Sequence, residues 1–338
     1  MYIPSGTVLL VPQKRAKAVA QIVVEMSEAS VLSTITAHEP KVTTLVESWP
    51  LEYDDESDND SWTEDDTPRI CLNHDALEHI ASYYLPGGHG KCIKVTTLAR
   101  GTYHDIRLLH FVDGWKCIGR FAREEESLAK LESELATMAY VRKHTSIPVP
   151  EVYLVNTNRN HAVGASFVLM ERMPGVSLSV IRGDLDLQQR LAVVGEIAGV
   201  LVQLASLNFS CIGSLRVDGN PGPLLNTEIT NEYVADAPFS NIEDYLLAFV
   251  QENDMTHPAS ARTLYPEVKT KIRDFLALQA SDPLYHVPFR LIHDDFDWQN
   301  ILVTRSHPTG TPKITAVIDW DHAHTGPLYY LFEYPRRL

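Results

Sequence analysis

LIHDDFDWQNILVT, Leu291 to Thr304, and KITAVIDWD, Lys313 to Asp321, are the two segments whose reading decides the fold. The first sets His293, Asp295 and Asn300 in the order H-x-D-x-x-x-x-N, and the second ends its apolar run on Asp319. Ile301–Thr304 and Lys313–Ile318 are rich in β-branched residues and flank a turn-forming segment, Ser306 to Thr311, so they read as a hairpin. In an antiparallel pair the start of the first strand lies beside the end of the second. Asn300 and Asp319 are therefore expected to meet at one edge, with Asp295 on the loop just before it.

An Asn carbonyl beside an Asp carboxylate is a pair of hard oxygen donors, the kind that hold Mg²⁺ once phosphate oxygens complete the shell. A further carboxylate nearby, Asp295, can orient a substrate hydroxyl and take its proton. Protein kinases arrange such parts as H-R-D-x-x-x-x-N and D-F-G at the catalytic end of a phosphoryl-transfer site. An acidic, solvated loop is the plain alternative for the same carboxylates.

LIHDDFDWQNILV followed by VIDWD resembles the aminoglycoside phosphotransferase and choline kinase-like family, a branch of the protein-kinase-like fold, and within it the fungal members. The resemblance implies that Asp295 is the catalytic base, that Asn300 and Asp319 are the metal ligands, and that His293 is the structural His of the catalytic loop. It implies an α+β, bilobal fold. A small N-lobe would hold an antiparallel sheet and one helix, and a larger, mainly helical C-lobe would carry the catalytic hairpin. Two departures stand out. Asp294 occupies a position where the family usually has a small residue, commonly glycine, and family members normally continue past the Ile-Asp-Trp-Asp motif with further helices, whereas this chain stops at Leu338. The expectation is a truncated C-terminus and an incomplete acceptor wall.

Composition sets the remaining bounds. The 338 residues are 44% hydrophobic, enough for two compact lobes, and no apolar run of about 18 residues suggests a membrane span. Cys71, Cys92, Cys117 and Cys211 form no C-x-x-C pair, which reads as reduced, mostly packed thiols and a cytoplasmic setting. Lys14, Arg15 and Lys17, in a first stretch without acids, faintly suggest a mitochondrial leader. The net charge of −15 argues against a nucleic-acid partner. Nine acids and no bases fall between Glu52 and Asp66, so the rest carries only −6. Residues 1–70 are expected to be an extension with an acidic linker over 52–66, residues 71–172 the nucleotide-binding lobe, and residues 173–338 the catalytic and acceptor-binding lobe.

Strand candidates Ile93–Ala99, Ile106–Phe111 and Trp115–Phe121 follow a helix that starts near Asp75. In the resembled family the first turn, with Gly101 and Thr102, lies over the nucleotide phosphates. A base on the third strand grips them, a role that fits Arg120 best and Lys116 as the alternative on the same face. A helix from about Glu124 to His144 carries an apolar stripe of Leu128, Leu131, Leu135, Met138 and Val141 or Tyr140, and acids crowd its expected first turn. The resemblance pairs its Glu134 with the strand base, and makes Met170, Glu171 and Met173 the hinge whose backbone holds adenine. Leu187–Leu207 reads as a buried helical axis capped by Asp184 or Asp186, and helices are expected over Asn241–Glu252 and Tyr265–Leu278.

The resulting expectation is an ATP- and Mg²⁺-dependent phosphotransferase acting on a small-molecule hydroxyl acceptor. A nucleotide-binding pseudokinase or regulatory module is the alternative, favoured by Asp294 and the short C-terminus. A metal-dependent phosphohydrolase built on His293 and Asp294, with His322 and His324 nearby, is the third reading.

Overall fold

The structure, a computed structural model, describes residues 70–101, 103–123, 127–225, 233–250, 264–307 and 310–332. The acidic segment, the leader-like start and Thr102 lie outside them. Along the chain the elements are α1 (His74–Tyr84), β1 (Cys92–Arg100), β2 (His104–Phe111), β3 (Lys116–Ala122), α2 (Leu128–His144), β4 (Val152–Asn156), β5 (Phe167–Glu171) and β6 (Val176–Ser177). There follow α3 (Leu178–Ile181), α4 (Leu187–Ser206), α5 (Ile242–Ala248), α6 (Tyr265–Leu278), β7 (Arg290–Ile292), β8 (Ile301–Thr304), β9 (Lys313–Val317), β10 (His324–Gly326) and α7 (Leu328–Leu331). The fold is mixed α+β, as the sequence suggests, and most strand and helix candidates recur within a residue or two, although α2 starts at Leu128 rather than Glu124 and α5 ends at Ala248 rather than Glu252.

These elements gather into two compact units. In the first, formed by the described residues up to Gln203 together with Asp295–Asp321, an antiparallel sheet runs in the order β1-β2-β3-β5-β4. Alternation along β3 sends Cys117 and Phe121 into a core with Leu77, Leu109, Phe111, Phe167 and Leu169, which leaves Arg120 on the other face. Asn73 caps the helix over this core by accepting from Ala76 N at 3.2 Å.

Two helices differ from their sequence reading. α2 begins at Leu128, where Ser127 Oγ accepts from Lys130 N at 3.4 Å, and no acid lies in its first turn. Its buried face is rotated from the expected stripe: Leu128 is 53% exposed, while Ser133, Glu134 and Thr137 are buried. That face is partly polar, and its Glu134 meets Arg120 of β3. α4 is capped as expected by Asp186, in a reciprocal box: Gln189 N donates to Asp186 Oδ1 at 2.8 Å and Asp186 N to Gln189 Oε1 at 3.1 Å. It is not buried all round, however, since Leu187, Leu191 and Val202 are exposed.

The β8–β9 hairpin joins the same unit, flanked by β6. Its register skips Thr315 between Ala316 and Ile314, a bulge that turns Thr315 Oγ1 toward Pro174 O, 2.6 Å away. Gly175 packs beneath it at φ 105°, where a Cβ would come within 2.6 Å of Val303 O. Only glycine meets both demands.

The second unit comprises Leu204–Asp294 and the described residues from His322 on. Here β7 pairs antiparallel with β10, and Thr325 N donates to Gly213 O at 2.8 Å. The segment around Gly213 is packed so tightly that a Cβ there would sit 1.9 Å from Gly222 O. The four cysteines are free, and Cys92 and Cys117 are buried. Among the described residues no helix is long and apolar enough to cross a membrane.

Candidate active site

The hairpin places its ends as antiparallel pairing demands. Ile301 faces Val317, and Ile318 N donates to Asn300 O at 2.9 Å, so Asn300 and Asp319 leave one edge of the first unit together. Asp295 lies on the loop before β8, where Asp297 N donates to its carbonyl at 2.9 Å and a 3-10 turn, Trp298–Asn300, delivers the chain into the strand. The buried Asn300 amide donates to Asp295 O at 2.8 Å and to Asp295 Oδ2 at 3.0 Å. With its nitrogen committed to Asp295, the Asn300 carbonyl oxygen is the group that can take a cation.

Trp320, between Asp319 and Asp321, is wholly buried, its indole N–H donating to Val317 O at 3.0 Å. Asp319 holds a left-handed φ of 67°. Its carboxyl is pushed up to about 7, first by loss of water around it, then by the charges of Asp321, Glu134 and Asp295, with Arg120 opposing. The residue keeps solvent-accessible surface although protein crowds its carboxyl. Water reaching the exposed part of the residue screens these charges. The excess of negative charge suits a cation at this point, and the oxygen donors of Asn300 and Asp319 fit a hard ion such as Mg²⁺. Among the described residues no group of three or more His, Cys, Asp or Glu is placed to hold a metal ion.

Of the two basic candidates on β3, Arg120 meets Glu134 of α2. Its two terminal nitrogens donate to the two carboxylate oxygens at 2.6 and 2.5 Å, and both side chains are buried. Lys116 lines a separate hollow of about 330 Å³ with Gly114, Trp115, Tyr153, Glu171 and Arg172. Gly101 N donates to His104 O at 2.8 Å, closing the turn after β1, and Arg123 N donates to Tyr103 O at 2.9 Å. Asp105, 1% exposed, braces that turn through Arg123 Nε at 2.9 Å and Arg107 at 3.2 Å. Met170, Glu171 and Met173 are half-buried at the end of β5; Glu171 N donates to Glu151 O at 2.7 Å, and Glu171 Oε2 accepts from Glu151 N at 3.1 Å.

His293 and Asp294 fall in the second unit. His293 is 1% exposed, directly after β7. Asp294 takes a left-handed φ of 60°, and its buried carboxylate accepts from Tyr330 OH at 2.5 Å, with His324 Nδ1 3.8 Å away. Asp294 thus holds a backbone conformation that glycine adopts most readily.

A profile of the phosphotransferase enzyme family matches residues 94–330, more than half of the chain. The chain belongs to that family. A subtelomeric hrmA-associated cluster protein of Aspergillus fumigatus is 31% identical over 126 residues, which cover 37% of this chain and 25% of that protein. The clavilactone A biosynthesis cluster protein Y of Ampulloclitocybe clavipes is 25% identical over 228 residues, 61% of this chain and 53% of that protein. The chain therefore spans about a quarter to a half of the curated relatives it matches. Among solved structures, aminoglycoside phosphotransferase APH(4)-Ia aligns at 19% identity and a TM-score of 0.48, covering 76% of this chain and 75% of that one.

Membership in the phosphotransferase enzyme family agrees with the resemblance read from the catalytic segment. Sequence reasoning missed two members of the site, Asp321 and Lys130. Lys130 Nζ lies 2.7 Å from Asp321 Oδ2 and 5.8 Å from the centre of the Tyr103 ring. A signal existed, because Lys130 stands one helical turn before Glu134.

Proposed function

We propose that this chain transfers the γ-phosphate of ATP to a hydroxyl of a small molecule. The observation that carries the reading is the gathering of Asp295, Asn300, Asp319 and the Arg120–Glu134 pair within one unit. In this reading Arg120, held straight by Glu134, binds the nucleotide phosphates, and the turn containing Gly101 and Thr102 covers them. The backbone of Met170, Glu171 and Met173 receives adenine. Asn300 and Asp319 would hold Mg²⁺, which on binding neutralises the phosphate oxygens. Asp295 aligns the acceptor hydroxyl and takes its proton as the hydroxyl oxygen bonds to phosphorus and the bond to the ADP oxygen breaks. His293, buried ahead of this loop, serves it structurally.

The test is Asp295→Asn assayed against a panel of hydroxylated metabolites. We expect nucleotide binding close to wild type and transfer reduced by roughly a hundredfold or more. Transfer that persists undiminished contradicts the assignment of Asp295. Nucleotide binding without transfer in the wild type, against every acceptor tried, supports a nucleotide-binding module instead.

A further inference from the structure

Arg120 is committed to Glu134 in this site, and a second cation, Lys130, is set against the carboxylate of Asp321. Lys130 and Glu134 leave one face of α2 a turn apart, so the helix that fixes Arg120 also aims this ammonium. Its contacts join two segments far apart in sequence: Asp321, two residues past Asp319, and Tyr103 in the turn after β1. The side chains of Lys130 and Asp321 are 21% and 9% exposed, which separates this pair from an ordinary surface bridge.

We propose that Lys130 is a phosphate-directed cation, held on Asp321 until nucleotide arrives, that keeps a bare divalent cation from settling in the site first. The inference rests on the phosphotransferase reading given above. An ammonium on Asp321 lowers the negative potential that a lone Mn²⁺ or Mg²⁺ would seek, whereas the same charge attracts a polyphosphate. Tyr103 offers the ammonium its ring face, and so ties its position to the turn assigned to the phosphates.

Two binding measurements on the full chain separate this role from a structural one: Mn²⁺ alone by electron paramagnetic resonance, and ADP in EDTA by calorimetry. Lys130→Met is expected to bind Mn²⁺ more tightly and ADP more weakly, each by roughly fivefold or more, and Lys130→Arg to restore ADP binding. Asp321→Asn frees the ammonium and should tighten ADP, which gives an answer even where Lys130→Met does not fold. Changes in the same direction for both ligands, no change in either, or ADP binding unmoved in Asp321→Asn overturns the proposal. If the wild type binds ADP and Mn²⁺ but the variants match it, only the Lys130 assignment falls. If the wild type binds neither of these nor Mn–ADP, the phosphotransferase reading falls with it.

Discussion

A left-handed backbone at an L-residue costs about 1–2 kcal/mol, and Asp294 and Asp319 both carry it beside the proposed catalytic base and metal. Asp294 offsets the cost with a carboxylate–hydroxyl bond to Tyr330 in a buried setting. Tyr330→Phe should then cost about 1–3 kcal/mol by urea unfolding, because it removes a hydrogen bond to a buried carboxylate, and Asp294→Gly in the same chain should recover part of that loss. Equal stability of Tyr330→Phe and wild type would show that the bond contributes nothing. Asp319 makes a second prediction, in pH. Its carboxyl titrates near 3.8 when unfolded and is pushed up to about 7 when folded. Between those values the unfolded chain has lost a proton that the folded chain keeps, so metal-free stability falls as pH rises through the window and levels off above it. Asp319→Asn carries no charge at any pH. Its melting temperature in EDTA should match wild type at about pH 4 and exceed it at about pH 8; an offset equal at both would rule out this titration.

Between elements, the decisive contact is the buried pair that joins β3 to α2. Truncating one partner breaks both charge-assisted hydrogen bonds of a buried pair: Glu134→Ala should cost about 3–5 kcal/mol. Replacing both, as Arg120→Met with Glu134→Leu, should return most of that stability while ADP binding stays lost. A double variant that regains ADP binding along with stability would deprive Arg120 of its phosphate role. Local signals made much of this level legible in the sequence. The hairpin showed in two β-branched runs around a polar turn, and α6 occupies the residues its periodicity marked. Other features depend on what each face meets. Leu187, Leu191 and Val202 look like core from spacing alone, yet they are exposed on α4. The buried face of α2 includes Ser133 and Thr137, which an apolar stripe could not flag. Spacing could place Lys130 on the face of Glu134, but its pairing with Asp321 forms only once the chain is folded.

At the scale of the whole molecule, the chain order itself shapes behaviour. The first unit is discontinuous: after the second unit's Leu204–Asp294 has been traversed, the segment Asp295–Asp321 returns to complete it. The proposed ligands come from both of its parts, Arg120 and Glu134 from the earlier one and Asp295, Asn300 and Asp319 from the later. A ligand that binds only the folded site therefore fastens two distant stretches of sequence. At a concentration 100 times its dissociation constant it adds about 2.7 kcal/mol, or roughly a hundredfold slower exchange for amides that open only when the unit does. Hydrogen exchange with and without Mg–ADP should accordingly show slowed amides in β3, α2, β8 and β9. Amides of α6 and β7, which belong to the second unit, should change less. Slowing confined to α6 and β7 would place the nucleotide elsewhere. Slowing in β3 and α2 without β8 and β9 would mean that Arg120 holds the nucleotide while the hairpin takes no part, and the phosphoryl-transfer reading of Asn300 and Asp319 would then have to be given up.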